Sequence, residues 1–295
     1  MVEPLIMSKT MNEREIQSRL KKVWGASGMP FAAMTRSDYQ SPLQNQLREE
    51  WLRWIELGAN GVIAGEHGVG KTVMLQKVKE GLSPKLYSVV TLTHTSLSAG
   101  DVLCALCQTL GIEPSFRRSK TARSLVEIWQ REGRKPVLLV DEAQNLTAAA
   151  LEELRLLMCA SGQLSGNHPR ESLTMTLCGD RELLPKLKLG INAPLLSRLG
   201  YQLQLEGLVE EEVETYLQAR FAEVGIPTPP LETGTVPLIH KASEGNPRKI
   251  NQLLQQAILL LLESGSTRVD SALLQKAVTK VPSLQVRRST PASCA

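Results

Sequence analysis

Apolar residues follow two rhythms along this chain. In the first two thirds they come as short unbroken runs bounded by glycine or charge: "GVIA" at 61–64, "PVLLV" at 136–140 and "LTMTLCG" at 173–179. Runs of that length predict strands of a parallel sheet covered on both faces. "KLYSVVTLT" at 85–93 alternates and is rich in β-branched residues, and "YQLQLEGL" at 201–208 alternates, so both also read as strands. Between these runs the spacing is helical: "LQNQLREEWLRWIELG" ahead of the first strand, then about 71–80, 99–111 and 120–132, and "TAAALEELRLLMCAS" from Thr147. "SGQLSGNHPRES" reads as a loop. After about residue 207 the short runs stop. "EEEVETYLQARFAEVG", "TVPLIHKASEG", "PRKINQLLQQAILLLLESG" and "SALLQKAVTKV" are all helical, and "PSLQVRRSTPASCA" reads as a loose tail.

Strands alternating with helices, then a helical block, predict an α/β fold with a five-stranded parallel sheet flanked by helices and a small all-helical lid. The expected division is a polar N-terminal extension over 1–48, the α/β core over 49–206, the lid over 207–281 and a flexible tail over 282–295.

Composition narrows the picture only in places. The 295 residues suffice for a large core and a smaller partner domain. Aromatics are 4 %, which argues against a base-stacking platform for single strands, and the net charge of +4 mildly favours a polyanionic partner. No apolar run approaches the roughly 18 residues that cross a bilayer. The N-terminus lacks an apolar core of signal-peptide length, so a cytoplasmic protein without a membrane partner is expected, its five cysteines reduced. Cys104 and Cys107 form a CxxC, but with no second pair at zinc spacing they read as small apolar residues of a helix. His67, His94, His168 and His240 are scattered.

Candidate chemistry begins at "GEHGVGKT", which runs through Gly65, Glu66, His67, Gly68, Val69, Gly70, Lys71 and Thr72 directly after the first strand. The glycines allow a loop whose N–H groups converge on an anion, and the following helix start adds its own N–H groups and dipole. Lys71 can reach β- and γ-phosphates, and the Thr72 hydroxyl can bind Mg²⁺. "PVLLVDEAQNL" supplies a metal-holding carboxylate, Asp141, at a buried strand end. Glu142 follows on the opposite strand face, suited to polarising the attacking water. Asp180 in "TLCGDRELL" is either a γ-phosphate-sensing group or the N-cap of the next helix. Arg198 in "LLSRL" is either a lone surface charge or a group reaching a neighbour's γ-phosphate. In "EGNPRKINQLL", Asn246 caps a helix and Pro247 opens it, which puts Arg248 in the first turn, either in solvent or on nucleotide. "FRRSKTARSL" gathers Arg117, Arg118, Lys120 and Arg123 near a helix start, either a solvated basic face or a set of DNA-phosphate contacts.

In this order and spacing, "GEHGVGKT", "LLVDEAQNL", "LLSRL" and "GNPRKIN" resemble an AAA+ ATPase. "VDEAQNL", with "MPF" ahead of the core, is similar to the clade containing ExeA, TniB and TnsC. The resemblance covers about residues 25–280. It implies Gly65–Thr72 as the phosphate loop for ATP, Asp141 with Mg²⁺, Glu142 as water activator, Arg198 as a finger acting in a neighbouring subunit and Arg248 as a second nucleotide sensor. Relatives carry a neutral polar residue where Asp180 stands. TniB- and TnsC-like members imply rings or filaments on duplex DNA, contacted without regard to sequence, that link a target-selection protein to a transposase. ExeA-like members imply a secretion or envelope-assembly ATPase, and a third reading is a nucleotide-gated scaffold with little turnover. The absence of a membrane span after the lid favours the first, an ATP-dependent regulator of DNA transposition.

Overall fold

The structure, a computed structural model, describes residues 11–32, 39–93, 98–164 and 172–285. They form two compact units, one from residues 42–206 and one from the described residues up to 41 and from 207 onward.

Helix α1 (Glu13–Trp24) belongs to the second unit. The first unit opens with α2 (Pro42–Glu56) and contains α3 (Lys71–Gly81), α4 (Ala99–Thr109), α5 (Arg118–Glu132), α6 (Ala148–Leu164), α7 (Leu183–Leu187) and α8 (Ala193–Leu196). Its five strands are β1 (Gly61–Gly65), β2 (Tyr87–Leu92), β3 (Lys135–Val140), β4 (Thr174–Gly179) and β5 (Tyr201–Leu205). They pair in parallel in the order β2-β3-β4-β1-β5. This is the expected sheet; β1, β3 and β4 are buried on both faces, while β5 at the edge alternates buried and exposed residues. Val62, Leu138, Val140 and Leu177 pack with Trp129, Leu154 and Val102 on one side. Their neighbours Ile63, Val137, Leu139 and Cys178 pack with Trp51, Leu75 and Val78 on the other. The alternation explains why "PVLLV" carries no polar residue. One polar link crosses the second layer: Trp51 Nε1 donates to Thr176 Oγ1 at 3.1 Å, and Thr176 shares a 2.7 Å bond with the Tyr201 hydroxyl.

The register positions the chemistry. Ala64 pairs with Gly179 and Val140 with Leu177, so the C-terminal ends of β1, β3 and β4 lie at one sheet edge. In open parallel sheets that edge is where ligands bind.

The second unit adds α9 (Glu210–Ala222), α10 (Thr235–Ser243), α11 (Pro247–Ser264), α12 (Ser271–Lys280) and α13 (Pro282–Gln285). Its core joins Leu20 of α1 and Phe31 to Phe221, Ile250, Leu254 and Ile258. Phe31 has a φ of 63°. That strain costs about 1–3 kcal/mol, matched in size by the ~1.5–3 kcal/mol from burying the ring. The ring meets Phe221 edge-on at 5.0 Å. Arg220, 2 % exposed, is held by Glu223 at 2.8 Å.

The structure departs from the sequence reading at the ends. The N-terminal stretch read as a polar extension contains α1. Asn12 caps it through the Glu15 N–H at 2.9 Å, Glu13 and Glu15 sit in its first turn and Lys21 and Lys22 in its last. Such polarity suits a helix whose caps and dipole are satisfied but which fully buries Leu20 alone. Helix α6 continues to Leu164, into the stretch read as a loop, and the short α13 lies in the stretch read as a tail. His94, His168 and most of the tail lie outside the described residues. Among the described residues no helix is long and apolar enough to cross a membrane. Cys107 is buried in α4, and among the described residues no group of three or more His, Cys, Asp or Glu is placed to hold a metal.

Candidate functional site

The turn between β1 and α3 is built by close approach and by unusual backbone angles. At Gly65 a Cβ would stand 2.5 Å from the backbone oxygen of Leu205. Gly70 has a φ of 109°, outside the reach of ordinary side chains, and is the N-cap of α3. A glycine cap offers no side-chain acceptor, so the first N–H groups of α3 stay open to an anion. Val69 is 1 % exposed and anchors the loop in the core.

Lys71 is 5 % exposed. Its ammonium donates to the carbonyls of Gly65 at 2.9 Å and Glu66 at 3.1 Å, spanning the loop from within. Thr72 Oγ1 donates to Asp141 Oδ2 at 2.8 Å. Asp141 is buried directly beyond β3, and its other oxygen accepts the Glu142 N–H at 3.0 Å. A hydroxyl beside a buried carboxylate is a pair of hard oxygen donors, the set Mg²⁺ prefers. These residues therefore fit a Mg²⁺–triphosphate.

Glu142 does not continue the alternation of β3. It takes a left-handed conformation, φ 51° and ψ 38°, so the turn rather than the strand sets its direction. Its Oε2 accepts the Gln144 side-chain N–H at 2.6 Å. No partner is found for Oε1 among the described residues. The Gln144 Oε1 accepts the Asp180 N–H at 3.1 Å.

Asp180 is not the N-cap of α7, which is Glu182, but it lies in the turn that leads into that helix. Its Oδ1 accepts the Glu182 N–H at 2.9 Å, closing the turn into α7, and its Oδ2 lies 3.0 Å from His67 Nε2. Arg181 lies 3.6 Å from Glu66. The end of β4 is thus joined to Glu66 and His67 of the loop after β1, and His67 is not an isolated histidine. Beneath them Cys178 is fully buried. Burial first, then the Asp141 charge, pushes its thiol far up, and Lys71 acts in the opposite direction. The thiol stays neutral and packs as a small apolar group.

Arg198 is exposed just after α8, with NH1 donating to the Pro194 carbonyl at 2.5 Å. Glu152 is held below its usual range mainly by its bonds to Arg155 and further by the charge of Arg198. Arg248 is exposed in the first turn of α11, where Asn246 Oδ1 accepts its N–H at 3.1 Å and that of Lys249 at 3.4 Å. It belongs to the other unit. At the start of α5, Arg118 faces Glu153 at 3.6 Å and Arg123 faces Glu127 at 3.0 Å. Arg117, the N-cap, has no side-chain cap bond, and neither it nor Lys120 has an acidic partner among the described residues. Phe116 beside them is fully exposed. Sequence reasoning assigned no role to Gln144, because its partners at 142 and 180 are brought together only by the pairing of strands.

Residues 56–187 match the protein family described as "AAA domain". Over 215 residues, 70 % of this chain, it is 26 % identical to General secretion pathway protein A of Aeromonas hydrophila, 38 % of whose length is covered. Over 162 residues, 53 % of this chain, it is 27 % identical to the Mu-like prophage FluMu DNA transposition protein B of Haemophilus influenzae, 52 % of whose length is covered. The chain therefore spans about half, or less, of these relatives. Among solved structures, the ORC2 protein of Aeropyrum pernix superposes with a TM-score of 0.64 at 18 % identity, over 87 % of this chain and 72 % of that one.

Proposed function

We propose that this chain, whose residues 56–187 match an AAA domain, binds Mg·ATP at Gly65–Thr72, hydrolyses it, and uses the cycle to regulate DNA transposition from duplex DNA. The observation that carries the reading is the Thr72–Asp141 bond at 2.8 Å, set at the same sheet edge as Lys71 and Glu142.

The chemistry follows from the residues. Loop N–H groups and the start of α3 hold phosphate oxygens, and Lys71 balances their charge. Thr72 and Asp141 hold Mg²⁺, which when bound neutralises further phosphate charge. Glu142, with Oε1 open, takes the proton of the attacking water. Asp180 Oδ2 lies 3.0 Å from His67 Nε2, so one of its carboxylate oxygens is engaged by the loop. Arg198, exposed, reaches a neighbour's nucleotide, and Arg248 reports nucleotide state in the helical unit. These two roles make ring or filament assembly part of the proposal.

Duplex DNA is favoured as partner by Arg117 and Lys120, which lie at an uncapped helix start without acidic partners. Such contacts are to phosphate and blind to sequence. Similarity to a protein named for DNA transposition supports the biological setting, with a transposase and a target-selection protein as partners. The longer match to General secretion pathway protein A favours a second reading, an ATPase of secretion or envelope assembly.

The test is association of the full chain with duplex DNA in the presence of a non-hydrolysable ATP analogue. Transposition regulation predicts nucleotide-dependent, salt-sensitive binding, and its absence sinks that reading in favour of the second. Glu142→Gln is expected to lower ATP turnover by about 10²–10⁴ while keeping nucleotide binding. Equal, negligible rates in both chains would instead indicate a nucleotide-gated scaffold.

A further inference from the structure

We infer that Gln144 is a positioning residue for Glu142, tying the water-activating carboxylate to the end of β4. The inference rests on the role proposed above for Glu142.

Three observations carry it. The amide is used at both ends: Nε2 donates to Glu142 Oε2 at 2.6 Å, and Oε1 accepts the Asp180 N–H at 3.1 Å. Its orientation has no alternative, because a carboxylate only accepts and a backbone N–H only donates. Second, the backbone of Gln144 is itself held, its carbonyl accepting Lys186 Nζ at 2.6 Å. Third, the amide fits only because residue 179 is glycine. A Cβ there would stand 2.6 Å from Gln144 Oε1 and 2.8 Å from Leu183 Cδ2.

Glu142 needs such support. Its backbone is left-handed, and beyond β3 no ladder bond fixes its side chain. A base on a turn acts efficiently when a third group orients it. Gln144 does this with one carboxylate oxygen and leaves the other to water. Because its other end rests on the Asp180 N–H, a shift of the β4 end moves the base with it. Asp180 also faces His67 of the phosphate loop, so the loop, the β4 end and Glu142 form one connected chain of bonds.

The experiment compares ATP turnover and affinity for a fluorescent ATP analogue in the full chain and four variants. Gln144→Leu is expected to lower kcat about tenfold to a hundredfold, as for a misplaced reacting group, with KM and analogue affinity within about twofold of wild type. Gly179→Ala presses on Gln144 Oε1 and on the buried Leu183, so it is expected to give the same split together with a lowered unfolding midpoint. Gln144→Glu is expected to fall further at pH 8, carboxylate against carboxylate. Its rate relative to wild type is expected to recover as the pH drops and the new side chain regains a proton to donate. A purely structural role would not produce that recovery. Wild-type or higher turnover in Gln144→Leu, or a parallel loss of analogue affinity, overturns the inference. If the wild type turns over and Glu142→Gln does not, such a result condemns the role of Gln144 alone. If Glu142→Gln is as active as wild type, the role of Glu142 falls first.

Discussion

Helices α3 and α5 both begin without a side-chain cap, yet they offer their open N–H groups to very different surroundings. At α3 the start is enclosed on the side of Lys71 and Asp141, while Thr72 and Val73 are exposed. Gly70 is forced to a φ of 109°, Lys71 is 5 % exposed and Asp141 is 4 % exposed. At α5 the N-cap Arg117, then Arg118 and Lys120, are all exposed. Enclosure lowers the local dielectric, so fixed donors act strongly on one ligand in one pose. Exposure leaves each charge screened, so attraction adds up over many weak contacts and depends on salt. The first suits a triphosphate held for chemistry, the second a polyanion held without regard to sequence.

The largest effect should come from breaking the enclosed start. Lys71→Ala removes a buried cation and leaves the Gly65 and Glu66 carbonyls without it. ATP affinity is expected to fall at least about thirtyfold, while DNA binding without nucleotide stays as in wild type. Equilibrium titration of both ligands checks the separation, and a joint loss would mean that the loop had collapsed. Next, Gly65→Ala sets a Cβ against rigid backbone at 2.5 Å. A loss of about 1–3 kcal/mol is expected in urea unfolding, and an unchanged midpoint would deny the close approach.

The exposed start should fail gradually. Each phosphate contact contributes about 0.9 to the slope of log affinity against log salt. Arg117→Ala with Lys120→Ala is therefore expected to reduce that slope by about 1.8 and leave ATP affinity unchanged. An unaltered slope would reduce these residues to a solvated face.

What the sequence makes legible follows the same division. The strands, the phosphate loop and Asp141 are readable because each depends on neighbours in sequence: an apolar run, a glycine spacing, a carboxylate at a strand end. Residues whose partners lie far along the chain are not. Gln144 lies 36 positions from Asp180, and His67 meets Asp180 only because β1 and β4 pair. Helix α1 is not legible in the sequence because only Leu20 of its residues is fully buried, and amphipathic patterning needs a stripe. The backbone at Glu142 is not legible in the sequence because strand alternation stops at Val140 and a left-handed turn takes over.

The smallest expected effect sharpens the comparison from a third helix. Helix α11 starts with a cap that α3 and α5 lack, Asn246 accepting from Arg248 and Lys249. Its first N–H groups are satisfied within the helix start itself. Asn246→Ala should cost about 1 kcal/mol of stability, read by thermal unfolding, with little change in ATP affinity when nucleotide is titrated.

The central claim is that the Gly65–Thr72 loop and Asp141 together hold a magnesium triphosphate. Calorimetric titration of ATP into the full wild-type chain, with Mg²⁺ and again with the metal chelated, tests it most directly. The account predicts a saturable heat with Mg²⁺ that weakens sharply on chelation. No saturable heat with Mg²⁺, or identical curves in both titrations, would contradict it.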